Sequence, residues 1–145
     1  MNLRWLRSGE LLAGAGAVLV IVSLLEPWYE RAGLQLDAWD TFGPTIALLL
    51  AATCAALALV ASTFAERTVA LPVSIAVWCV PIGLAALIAA VVRVFERPEH
   101  ATSACVGAFL ALAGAVAITL GAWLALRDER PSRYDPMRAE LRPPP

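Results

Sequence analysis

The chain has 145 residues, of which 60% are hydrophobic, and its 11 basic side chains, all arginine, nearly balance 12 acidic ones. A formal net charge of −1 leaves no footprint for nucleic acid, whose phosphates are bound by clustered cations. Three cysteines, Cys54, Cys79 and Cys105, with no Cys-x-x-Cys pair, exclude full intramolecular pairing and read as small apolar packing residues.

Four apolar stretches nearly free of charge dominate the chain, at Leu11–Leu25, Pro44–Ala65, Val69–Val92 and Ser103–Leu126. The last three are long enough to cross about 30 Å of hydrocarbon at about 1.5 Å per residue. The first reaches that length if it begins near Leu3, which places Glu10 at the headgroup level. Arg4 and Arg7 imitate the basic start of a signal peptide. However, Ser23-Leu24-Leu25-Glu26-Pro27 holds no small-x-small cleavage site, so a retained span is expected.

Between the first two spans, Glu26–Gly43 concentrates Trp28, Tyr29, Trp39 and Phe42 among several acids. Aromatics at that density predict an outer cap lying flat on the membrane interface, with Leu34 and Leu36 dipping inward. The plain function is anchoring; the sharper one is docking of a partner protein or a lipid headgroup. Asp40 or Thr41 is placed to cap the second span, and Pro44 suits its first turn.

The third span holds Pro72 near its start and Pro81 near its middle. Pro81 cannot donate to the carbonyl of Val77, which predicts a kink. Arg93 ends the span, with Glu96 or the first outer segment as partners. The fourth span carries glycine every seven residues, at Gly107, Gly114 and Gly121, on a stripe shared with Ala111, Ala125 and the bulky Ile118. Lipid supplies no hydrophobic drive between helices, so such small faces are where backbones approach. Leucine at Gly114 is expected to be felt most, and at Gly107 and Gly121 less, because helix ends splay. Similar stripes occur at Ala47, Ala51, Cys54, Ala58 and Ser62, at Gly83, Ala86 and Ala90, and at Gly14 and Gly16. An alanine-rich, arginine-only composition also produces such spacing by chance. Whether a seam lies inside one bundle or joins two copies is open at this level.

A soluble bundle needs a polar face on each helix. From Thr45 to Ala61 no side chain is charged, and from Leu71 to Val92 the one strongly polar side chain is Ser74. The expected fold is therefore all-α, a four-span transmembrane bundle over 1–126 (spans about 3–25, 44–65, 69–92 and 103–126). Residues 127–145, with Pro131, Pro136 and three final prolines, read as a largely disordered cytoplasmic tail. Arginine placement predicts N-in/C-in topology: Arg4, Arg7, Arg67, Arg127, Arg130, Arg133, Arg138 and Arg142 fall inside, and Arg31, Arg93 and Arg97 outside.

No catalytic, cofactor or metal motif is present, and no ionisable side chain lies deep in a span, which argues against an ion-coupled carrier. The expected role is structural or accessory, through contact with membrane lipids and with a membrane-protein partner or second copy. A small transporter or channel component, opened at the Pro81 kink, is the alternative. An outer-surface enzyme would need Glu26, Asp37, Asp40, Arg93 and His100 to converge.

The segments Leu24-Leu25-Glu26-Pro27-Trp28-Tyr29 and Ala38-Trp39-Asp40-Thr41-Phe42 resemble uncharacterised four-helix integral membrane proteins of actinobacteria. In these, a Leu-Pro-Trp-Tyr type sequence ends the first helix and an Ala-Trp-x-x-Phe element precedes the second. Glu26, between the leucines and Pro27, departs from that pattern. The resemblance implies a multi-pass protein of the bacterial inner membrane and brings no catalytic residue with it.

Overall fold

The computed structural model describes residues 8–31, 33–41, 43–64, 70–96 and 103–128. Its order is α1 (Ser8–Leu25), β1 (Tyr29–Arg31), β2 (Leu34–Leu36), α2 (Ala38–Thr41), α3 (Gly43–Phe64), α4 (Ala70–Phe95), β3 (Ser103–Ala104) and α5 (Val106–Asp128). The four long helices α1, α3, α4 and α5 each have the length and apolarity to cross a membrane. Outward side chains such as Val18, Ile21, Leu57, Trp78, Ile88, Phe109 and Leu120 form an apolar girdle that suits lipid and not water. The chain is a helical, multi-pass membrane protein.

The helices run up and down, each packed against antiparallel neighbours in the order α1, α5, α4, α3 and back to α1. The interior is made of small residues: Ala13, Ala17, Ala52, Ala56, Ala76, Ala86, Ala111, Ala115 and Ala122 are all completely buried. Leu49, Leu59, Val20 and Ile118 fill the remaining space between them. Hydroxyls inside the spans bond carbonyls one turn back: Ser23 Oγ to Val20 (2.6 Å), Thr53 Oγ1 to Leu49 (2.8 Å) and Thr119 Oγ1 to Ala115 (2.8 Å). This satisfies them where no water is present.

Several expected boundaries move. The first seven residues, including the proposed start at Leu3 and Trp5, lie outside the described part, as do Phe42, Arg67, His100 and 129–145. The third long helix runs through Arg93 to Phe95, beyond the expected end at Val92. Ser103 and Ala104 belong to a strand, so the last helix starts at Val106. Asp40 and Thr41 close the one-turn α2, just ahead of the start of α3 at Gly43.

The all-α expectation is corrected in one place. Between α1 and α2 the chain forms an antiparallel hairpin, and β3 joins its other side, giving a three-stranded sheet in the order β2-β1-β3. Tyr29 pairs with Leu36, Glu30 with Gln35 and Arg31 with Leu34; Tyr29 and Glu30 also face Ala104 and Ser103. Gly33 makes the reversal at φ 81°, a left-handed conformation open to glycine without a Cβ penalty. The sheet is too short for hydrophobic periodicity to betray it, and one of its three strands comes from the distant Ser103–Ala104 segment.

Candidate functional site

Two features distinguish the molecule: the seam between α1 and α5, and the sheet that closes one end of the bundle. The seam is built from glycine on both helices. A Cβ added at Gly16 would lie 2.7 Å from the Gly114 carbonyl oxygen, and one at Gly114 would lie 2.8 Å from the Gly16 carbonyl oxygen. The same reciprocity recurs seven residues along, where Gly9 points at the Gly121 oxygen (2.7 Å) and Gly121 at the Gly9 oxygen (2.6 Å). Each glycine thus aims a Cα–H bond at the opposite backbone, a weak attraction that recurs at close helix contacts. Ile118, the bulky member of the stripe, is fully buried and sits between Gly16 of α1 and Gly83 of α4. It fills a double hollow and locks three helices together.

Of the glycines named from sequence, Gly114 and Gly121 face α1. Gly107 meets the cap first. A Cβ there would strike the Trp28 ring at 2.5 Å and the Glu26 and Pro27 carbonyl oxygens at 2.9 Å. Its lack of a side chain seats the cap, a correction to the three-level helix seam. Gly9 was missed, although its seven-residue interval to Gly16 repeats the interval in α5. Gly14 lies on another face, toward Val60 of α3.

The aromatic cap also differs from expectation. Trp28 and Tyr29 do not lie flat on an interface; they are 1% and 0% exposed. Trp28 donates from Nε1 to the Ser23 carbonyl at 2.6 Å, and from its backbone N–H to Leu36 at 3.0 Å. Its own carbonyl accepts from the Cys105 N–H at 2.8 Å. The Tyr29 hydroxyl donates to the Arg93 carbonyl, near the end of α4. A buried indole or phenol requires such a partner. These two side chains therefore tie the sheet to α1, α4 and α5, and only Trp39 of the described cap aromatics is exposed, at 60%.

Tyr29→Phe removes the link to α4 while keeping the ring. It is expected to lower the melting temperature in detergent by the equivalent of about 0.5–1.5 kcal/mol, the usual net worth of one hydrogen bond. Helix content should be unchanged. An unaltered melting curve would show that the link contributes nothing to stability.

Among the described residues the charged groups do not gather into one centre; His100 and the side chain of Asp40 lie outside the described part. Glu26, Glu30, Arg31 and Asp37 are exposed on the rim. Arg93 is half-buried, and its Nε makes a long 3.4 Å contact with Thr45 Oγ1 of α3. Its partners thus include Thr45 and, through its carbonyl, the first interspan segment. Glu10 is not in a solvated headgroup position but 7% exposed within the bundle, in the first turn of α1, where the helix dipole favours a carboxylate. Among the described residues no three His, Cys, Asp or Glu side chains are grouped to hold a metal ion. Nor does any buried side-chain polar atom among them lack a hydrogen-bond partner.

Pro81 lies within α4 and is exposed, and Val77, whose carbonyl it cannot bond, is exposed as well. The interruption faces out of the bundle. Comparison with protein-family models, with curated proteins and with solved structures finds no match to the chain.

Proposed function

We propose a structural or accessory role in the membrane, exercised through contact with other membrane components and not through catalysis. The filled interior supports this most directly. Backbone meets backbone at Gly9–Gly121 and Gly16–Gly114, and Ile118 occupies the space between Gly16 and Gly83. A bundle packed this closely has surfaces to offer, and the hydroxyls of Ser23 and Thr53 inside it are spent on carbonyls of their own helices. The transport alternative draws on the Pro81 kink, and the outward direction of Pro81 and Val77 weighs against it, since a broken helix serves transport where it lines a cavity.

The N-in/C-in orientation follows from the arginine distribution and puts the sheet on the outer side. The resemblance to actinobacterial four-helix proteins favours the bacterial inner membrane as the site. On α3, Ala47, Ala51, Cys54 and Ala58 remain exposed, a smooth face that a second copy or a partner helix can approach.

Extraction from native membranes in a mild detergent, followed by mass analysis of the intact particle, tests the role. The expected particle is larger than one chain and its detergent, with the same composition in independent preparations. A strictly monomeric, partnerless particle would remove the basis for an accessory function.

A further inference from the structure

The sheet is two-faced, and its register tells which way each side chain points. Side chains alternate along a strand, and directly paired residues share a face. Tyr29, Leu36 and Ala104 therefore form one face together with Arg31 and Leu34, while Glu30, Gln35 and Ser103 form the other. The first face is the one turned to the bundle, because Tyr29 is fully buried and Leu36 and Ala104 pack on the core. The second is entirely polar, as a water-facing surface should be.

Leu34 breaks the expected burial on the bundle-side face. It shares that face with Tyr29 and Leu36, yet it is 71% exposed. At the hairpin tip, therefore, none of the described helices covers Leu34. Beside an embedded bundle, the space such a side chain faces belongs to the bilayer. Leu25, Phe95 and Val106, exposed where α1 and α4 end and α5 begins, carry the apolar girdle up to this same end of the molecule. Leu34 adds an exposed apolar side chain on the sheet at that end. Arg31, its cross-strand partner, brings a cation to the same spot, where phosphate groups lie.

We propose that the hairpin tip is a lipid-contacting foot. Leu34 enters the headgroup–acyl boundary of the surrounding bilayer, and Arg31 binds lipid phosphate beside it. The contact sets how deeply this end of the bundle sits, and it operates whether or not the protein has an accessory role.

Site-directed spin labelling tests the proposal in vesicles of phosphatidylcholine with phosphatidylglycerol. Labels are placed at Leu34→Cys and, separately, Gln35→Cys, in a background with Cys54, Cys79 and Cys105 replaced by alanine. Oxygen reports lipid exposure and a nickel chelate reports water exposure. The ratio of oxygen to nickel collisions is expected to be severalfold higher at 34 than at 35. Adding Arg31→Glu, which sets a negative charge against the phosphates, is expected to bring the ratio at 34 down toward that at 35. Equal, water-like ratios at both positions would overturn the proposal by placing the tip clear of the membrane. A label at 34 shielded from both reagents would overturn it too, by showing that protein covers the tip. A ratio at 34 indifferent to Arg31→Glu would remove the phosphate contact. If the cysteine-free background does not keep the wild-type helix content, hydroxyl-radical labelling of Leu34 and Gln35 in the wild-type protein gives the same comparison. Protection at 34 but not at 35 in vesicles, each taken relative to the denatured chain, is then the expected outcome, and equal protection the contrary one.

Discussion

Gly16→Ala and Gly121→Ala are expected to melt well below the wild type in detergent, although each adds a single methyl group. At Gly16 the new carbon would lie 2.7 Å from both the Gly114 carbonyl oxygen and the Ile118 amide nitrogen. At Gly121 it would press on the Ala13 backbone nitrogen and lie 2.6 Å from the Gly9 oxygen. Backbone atoms cannot rotate aside, so the helices must separate. Overpacking of this kind costs about 1–3 kcal/mol. Replacing glycine by alanine in a helix returns at most about 1 kcal/mol. The loss wins at the seam. It should not win at Gly14, where a Cβ meets only a Val60 methyl at 3.2 Å, or at Gly43, where nothing lies within 4 Å. Gly14→Ala and Gly43→Ala are thus matched controls, expected to melt at or slightly above the wild-type temperature. Four variants with indistinguishable melting would show that α1 and α5 are not in close contact.

The same distances alter the order expected for larger substitutions. Position 114 was expected to be the most sensitive because it is central in the stripe. A Cβ there first meets the Val20 Cγ2 methyl at 2.7 Å, and Val20 can shift in part. At 121 the nearest atoms are all backbone. Gly121→Leu should therefore cost at least as much as Gly114→Leu, even though it lies nearer a helix end.

Trp28→Ala is expected to be the most damaging change in the sheet region. The indole is 1% exposed and rests on the Gly107 backbone. Truncating a buried large aromatic typically costs about 3–5 kcal/mol. Trp28→Phe separates packing from hydrogen bonding: it keeps much of the ring but leaves the Ser23 carbonyl without its indole donor. An unmet buried acceptor costs about 1–3 kcal/mol. The order of melting temperatures should be wild type, then Trp28→Phe, then Trp28→Ala, accompanied by loss of near-ultraviolet dichroism from the cap. Trp39→Ala, which truncates an exposed indole, should change melting in detergent little. If Trp28→Ala and Trp39→Ala behaved alike, Trp28 would be an interfacial anchor after all and not a structural pin.

Much of the architecture was legible in the residues because hydropathy over twenty positions is a sum, and a sum tolerates local error. The four helices appear where charge is missing, within a few residues of their expected limits. The glycine interval in α5 was visible too, since period and composition are properties of one strand of sequence. Its partner was not. Gly9 and Gly16 repeat the interval of Gly114 and Gly121, but only an antiparallel register brings each pair face to face.

The cap was misjudged for a related reason. Tryptophan and tyrosine next to a span are as compatible with an interfacial belt as with a buried pin, because their amphipathic rings suit both places. Trp28 became a pin because Gly107, far along the chain, left room for its ring, and because the carbonyl of Ser23 lay within reach of Nε1. Tyr29 became one because the Arg93 carbonyl, near the end of α4, lies within reach of its hydroxyl. Membrane embedding, span number and the small-residue seam of α5 are thus decided by local composition. The sheet, the α1–α5 register and the exposure of Leu34 are decided by contacts between distant segments, which only the folded chain brings together.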